Sequence, residues 1–183
     1  MKKTFFSLLF LLFSVSGIFA QLPENRMKWQ ETPLTWNDFS GVPDLHNDFD
    51  ASTNSGISYS WSLRSSETKA ELFYKVRSYF YPDLSWVKPG KDSALLLAHE
   101  QLHFDISELH ARKLRKIMDG YVPDLKSDVK EVLERIYEKN ENARRQMQEK
   151  YDRETRHGQD EAAQEKWEIF IRSKLAEHEE YSS

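Results

Sequence analysis

From Leu95 to Asp105 the chain carries a His-Glu-x-x-His sequence, His99-Glu100-Gln101-Leu102-His103, inside an apolar run of helical period. Asp92 or Ser93 can cap the start of such a helix and Asp119-Gly120 its end, while Leu95, Leu102, Ile106 and Leu109 keep one apolar face. Side chains four residues apart on a helix stand one above the other, with Cβ atoms about 5–6 Å apart. His99 and His103 can therefore aim two imidazoles at one ion, with Glu100 beside them. Zinc accepts such nitrogen ligands, keeps one position open for water in catalytic sites, and uses a neighbouring carboxylate to take that water's proton. The competing reading is a core helix whose two histidines are simply buried and hydrogen-bonded.

The sequence ahead of the motif narrows the class. Met1 to Ala20 has the form of an export signal: Lys2 and Lys3, apolar residues from Phe5 to Val15, then Ser16-Gly17-Ile18-Phe19-Ala20 before polar sequence. Its cleavage leaves 21–183 as one domain with enough chain for its own core. The apolar segment is short for a membrane span, and no cysteine follows it to carry a lipid. The expected product is an exported protein, periplasmic or secreted, with no stable membrane insertion. A formal charge of −4, which grows more negative once Lys2 and Lys3 leave, offers no basic block for nucleic acid. The absence of cysteine excludes disulfide support and thiolate metal sites.

Patterning predicts an α+β fold, a small N-terminal antiparallel sheet followed by the motif helix and two further long helices. Met27-Lys28-Trp29 can add a short strand, and Leu34 to Phe39 alternates like a half-buried one. Ile57, Tyr59, Trp61 and Leu63 alternate with Ser58, Ser60, Ser62 and Arg64, and Ala70 to Tyr81 returns with Leu72, Tyr74, Val76 and Phe80 on one side. After Gly120 and Pro123, the spacing of Leu125, Val129, Val132, Ile136, Ala143, Met147 and Tyr151 predicts one long amphipathic helix. His157-Gly158 interrupts it, and Asp160 caps a last helix with Ala163, Trp167 and Phe170 inward. Ala176 to Tyr181 reads as a frayed, solvated end.

Two histidines hold zinc weakly, so a third ligand is required. His110 lies seven residues beyond His103, about 10 Å along the axis, and Ile106 stands where a zincin with a third histidine close by has its turn glycine. Asp105 and Glu108 leave the helix on other sides. His157, at the break between two helices, is the leading candidate; Tyr151, Asp152 and Thr155 around it can serve its second ring nitrogen. An acidic residue such as Glu154, and then His46, are the alternatives.

Four stretches together resemble a known family: Leu34-Thr35-Trp36-x-Asp38-Phe39; Ala51-Ser52-Thr53-x-Ser55-Gly56-Ile57; His99-Glu100-x-x-His103-Phe104-Asp105; and Tyr151-Asp152-x-x-Thr155-x-His157-Gly158 with Gln164 and Trp167. They are similar to the bacterial secreted family of predicted zinc-dependent proteases catalogued as domain of unknown function 922, over essentially the whole mature chain. The resemblance implies a zincin-like hydrolase in which His99, Glu100 and His103 match the metal motif and His157 the second histidine-containing motif.

The expected activity is hydrolysis of a peptide or protein substrate. Zinc on His99, His103 and His157 polarises the carbonyl, Glu100 is the general base, and Tyr151 donates to the tetrahedral oxyanion. The edge of Ala70 to Tyr81 is expected to pair with an extended peptide. Rival readings are a zinc amidase or peptidase acting on cell-wall peptides, and a non-enzymatic exported binding module assembling through the helix from Leu125 to Tyr151.

Overall fold

The computed structural model describes residues 25–66, 69–124 and 126–183, so the expected export signal lies outside the described residues. The elements run β1 (Met27–Lys28), β2 (Ala51–Ser52), β3 (Ser55–Ser65), β4 (Ala70–Phe80), β5 (Trp86–Val87), α1 (Ala94–Asp119), α2 (Val129–Thr155) and α3 (Glu161–Ala176). A small antiparallel sheet of order β1-β4-β3 comes first, with β2 and β5 paired as a separate antiparallel ribbon, and three helices follow. Among the described residues no helix is long and apolar enough to cross a membrane.

The alternation in β3 and β4 produces the expected face. Tyr59 pairs with Val76, Trp61 with Tyr74 and Leu63 with Leu72, and this side covers Ala111, Leu114 and Met118 of α1 and Val129 and Leu133 of α2. Helix α1 is the axis of the molecule. Its opposite side packs Leu102, Ile106 and Leu109 against Tyr151 of α2 and Trp167 and Ile171 of α3, and Phe104 meets Leu34, Phe39 and Phe80. Burial on several sides follows from its apolar and small residues being spread round the helix rather than confined to one stripe. Ser93 Oγ caps it by accepting from Leu96 N at 3.2 Å.

Four expectations are corrected. Trp36–Asp38 form a 3-10 turn, not part of a strand, because the Asp38 carboxylate accepts from both Thr35 N at 2.7 Å and Thr35 Oγ1 at 2.9 Å. Helix α2 begins at Val129 with Asp128 as its cap, while Leu125 lies outside the described residues. In α3, Phe170 is exposed and Ile171 fills the interior. The chain end is docked rather than frayed: Arg112 Nη1 donates to Leu175 O and to Glu179 Oε2, both at 2.8 Å, and Arg115 reaches the Tyr181 carbonyl. These two guanidiniums are themselves buried and held by Glu108, whose Oε2 also accepts from Ser78 Oγ at 2.5 Å. A buried charge that finds several partners in this way holds distant segments together.

Candidate metal centre

Helices α1 and α2 meet along a ladder of polar residues. Each step of four toward the C-terminus of α1 is matched by a step of four toward the N-terminus of α2. Asp152 Oδ1 lies 3.3 Å from His99 Nε2 and 3.0 Å from His103 Nε2. Gln148 Oε1 lies 2.5 Å from His103 Nδ1, and Arg144 Nη1 donates to Ser107 Oγ at 3.3 Å. Because α2 presents polar side chains to this seam, Asn140 is buried and Arg144 and Gln148 half-buried, while Ala143, expected to face inward, is exposed.

His99, His103 and Asp152 form the one group of three potential metal ligands among the described residues. The two Nε2 atoms are 3.2 Å apart. Ligand atoms about 2.0–2.1 Å from a tetrahedral zinc stand about 3.3–3.4 Å from one another, so this triangle fits one face of such a site.

The ring orientations are set from behind. Gln148 Nε2 donates to the His103 carbonyl at 2.8 Å, which turns its Oε1 to His103 Nδ1. Gln164 Nε2 donates to Glu168 Oε1 at 3.0 Å, which turns its Oε1 to His99 Nδ1 at 3.3 Å. An amide oxygen can only accept, so each neutral imidazole carries its proton on Nδ1 and presents a bare Nε2. Two nitrogen lone pairs and a carboxylate oxygen then converge with no donor among them, and only a cation, proton or metal, relieves the repulsion. The charges reflect this. Burial lowers the His103 pKa, but the Asp152 hydrogen bond and the Glu100 charge outweigh it and raise the net value above that of an ordinary histidine. Burial raises the Asp152 pKa, yet bonds from His103 and His99 hold that carboxyl below the usual range.

Glu100 is 3% exposed and its Oε2 has no hydrogen-bond partner among the described residues. It opens on a cleft of about 1060 Å³ that also contains His99, His103, Asp152, Gln148 and His157. The strands at this cleft are β2, through Ala51 and Ser52, and the start of β3, through Ser55; Ala70 to Tyr81, expected to receive a peptide, does not line it. Thr53 Oγ1 donates to the Glu100 carbonyl at 3.1 Å and pins the motif turn to this wall.

The other candidates fall elsewhere. His157 lines the cleft but is not one of the three grouped ligands; its Nδ1 is 3.7 Å from Asp152 Oδ1 and its ring packs, tilted, against Phe49. Tyr151 is fully buried behind His99, on which it stacks, and its hydroxyl donates to Gln164 Oε1 at 2.6 Å, with the His99 carbonyl at 3.2 Å. It does not line the cleft, so the oxyanion role expected of it is not available and it positions the imidazole instead. Glu154 accepts from Trp167 Nε1, and His46 sits on an exposed loop outside the cleft. Asp105 accepts from Trp29 and Gln101 away from the histidine rings.

Gly158 touches the centre directly. A Cβ on it would lie 3.0 Å from His99 Cγ, and its φ of 77° is left-handed. Gly158→Ala is expected to lower the stability of the metal-free protein by about 1–3 kcal/mol and to displace His99, measurable as a lower melting temperature together with weaker metal binding. Gln148→Ala removes the partner of His103 Nδ1 without touching a ligand atom. It should weaken binding of a metal ion at the triangle roughly 10–100-fold in a chelator competition.

A small antiparallel sheet against a central helix, with two histidines and a carboxylate gathered at one cleft, defines a mixed α+β domain with a candidate metal centre. The chain belongs to a family of bacterial proteins of unknown function (DUF922), which matches over residues 41–158. That span holds His99, Glu100, His103, Gln148, Asp152 and Gly158; Gln164 lies beyond it. No curated protein and no solved structure matches the chain.

Proposed function

We propose that the protein is an exported, zinc-dependent peptidase of zincin-like architecture. The observation that carries this reading is the triangle of His99 Nε2, His103 Nε2 and Asp152 Oδ1, with edges of 3.0–3.3 Å, beside the unpartnered Glu100 carboxylate. Two imidazoles and one carboxylate suit zinc, and the open cleft leaves room for a substrate carbonyl. When bound, zinc supplies Lewis-acid polarisation of a carbonyl and acidification of water. Iron oxygenases use a similar ligand set; the free carboxylate next to the histidines is the part that hydrolysis requires and favours zinc.

The residues divide the work. His99, His103 and Asp152 hold the ion. Gln148 and Gln164 keep protons on Nδ1 and the lone pairs on Nε2. Glu100 Oε2 accepts the proton of the attacking water and returns it to the leaving amine nitrogen. Metal analysis of the purified protein should give one zinc per chain. Casein-derived peptides should be cleaved, with loss of cleavage on chelation and recovery on adding zinc. Activity on purified peptidoglycan but not on casein peptides would move the substrate to the cell wall, and a metal-free, inert protein would end the proposal.

The raised pKa of His103 predicts the pH dependence. In the metal-free protein the proton on His103 contributes stability that is complete below the unfolded-state value near pH 6.5 and is lost as pH rises through the higher folded value. Zinc requires that proton to leave. Zinc affinity should therefore rise with pH and level off only above the folded value, with proton release on binding detectable by calorimetry in buffers of different ionisation enthalpy.

A further inference from the structure

The tetrahedral oxyanion of a peptide hydrolysis needs a hydrogen-bond donor placed where the charge develops, and several of the side-chain donors that line the cleft are already engaged. Lys91 Nζ is paired with Asp50 at 3.1 Å. Arg144 serves Glu141, the Ser55 carbonyl and Ser107, Gln148 holds His103 at two points, and Thr53 is given to the Glu100 carbonyl. Tyr151 lies behind the rings, outside the cleft, with its hydroxyl on Gln164.

His157 is different. Its side chain is 46% exposed, and its Nδ1 stands 3.7 Å from Asp152 Oδ1, beside the third corner of the triangle but beyond hydrogen-bond length. Neither ring nitrogen is hydrogen-bonded among the described residues. The Phe49 ring lies against it, with centroids 4.5 Å apart and planes tilted by 38°. The backbone that delivers it is held in an unfavourable shape: Arg156 and His157 both have left-handed φ, 53° and 55°, before Gly158 at 77°. Consecutive non-glycine residues in that region cost energy and need support from their surroundings. Here His157 N donates to the Asp152 carbonyl and Asp160 N to the Thr155 carbonyl, both at 2.9 Å. A sharp, tied-down reversal that returns an imidazole over Asp152 is what a fixed donor requires.

We propose that His157 is the residue whose ring N–H receives the substrate's tetrahedral oxyanion, an assignment that rests on the hydrolytic reading above. As the water oxygen bonds to the carbonyl carbon, the π electrons of that C=O move to its oxygen, and Glu100 takes the water's proton. His157 donates a hydrogen bond and keeps its own proton. When the C–N bond breaks, the electron pair leaves with nitrogen, Glu100 protonates the amine, and the carbonyl forms again.

The test uses the zinc-loaded full chain with His157→Gly, which removes the ring while suiting the left-handed backbone, and His157→Asn, which suits that backbone and retains an N–H. A phosphinic peptide, a stable tetrahedral anion, reports the donor without turnover. His157→Gly should keep its zinc, while phosphinic-peptide affinity and kcat fall together by about 10²–10³-fold with KM changed by roughly twofold or less; His157→Asn should recover part of both. Loss of zinc in His157→Gly would make His157 a ligand, and unchanged phosphinic-peptide affinity would make it only an anchor for Phe49; either overturns the assignment. Wild type that binds zinc and the phosphinic peptide tightly but cleaves no peptide would sink the peptidase reading while leaving the donor result intact.

Discussion

Asp152→Ala should release the metal. With the carboxylate gone, only two nitrogen atoms 3.2 Å apart remain, and zinc affinity should drop on the order of 100-fold or more, about 3 kcal/mol. A second signature separates this from misfolding. In the metal-free protein the hydrogen bond and charge of Asp152 help raise the His103 pKa against burial. Removing them leaves desolvation less opposed, so His103 should titrate at a lower pH in Asp152→Ala, followed through its ring protons by NMR. At a pH above the folded His103 value, where the imidazole proton that Asp152 helps to hold has already left, the melting temperature of the metal-free variant should stay close to wild type, because Asp152 is partly exposed at the cleft and not in the apolar core. Stoichiometric zinc in Asp152→Ala at micromolar concentrations would show that another side chain completes the set.

Glu100→Gln separates binding from chemistry. The substitution keeps the shape and burial of a side chain that is 3% exposed and faces the cleft, but an amide cannot take up a proton. Zinc content should be unchanged and kcat should fall about 10²–10⁴-fold, the usual range for a general base. The triangle of His99, His103 and Asp152 contains no atom of Glu100, so a loss of metal here would mean that Glu100 is a ligand. Turnover within a few-fold of wild type would remove it from the mechanism. Read together, the two variants give opposite patterns: one loses the ion, the other keeps it and loses the reaction.

Much of this architecture was legible in the chain. The ends of α1 follow from Ser93 and Gly120, the face of β3 from the alternation of Ile57, Tyr59, Trp61 and Leu63, and the start of α3 from Asp160. The misreading of α2 has a clear origin. Apolar periodicity placed Ala143 inside and overlooked Asn140, Arg144 and Gln148, because a helix facing a polar seam does not announce its inner side by hydrophobicity. A usable signal did exist: Gln148 and Asp152 stand at the same interval of four as His99 and His103, so two antiparallel helices could present matched pairs. Phe170 and Ile171 are adjacent and equally apolar, and only the rotation of α3 against α1 distinguishes them.

The β3–β4 hairpin followed by three helices, the caps, the two histidines on one helical turn and the carboxylate beside them were determined by the sequence alone, since each depends on residues close together along the chain. The tertiary structure decided that Asp152 rather than His157 stands third in the triangle, that Tyr151 is buried behind the rings, and that the C-terminal end is docked on Arg112 and Arg115. Those outcomes depend on how α2 and α3 slide and rotate against α1, across about fifty residues or more of chain. Register of that kind is set by side-chain packing and hydrogen bonding between whole elements, and apolar periodicity within one helix does not encode it.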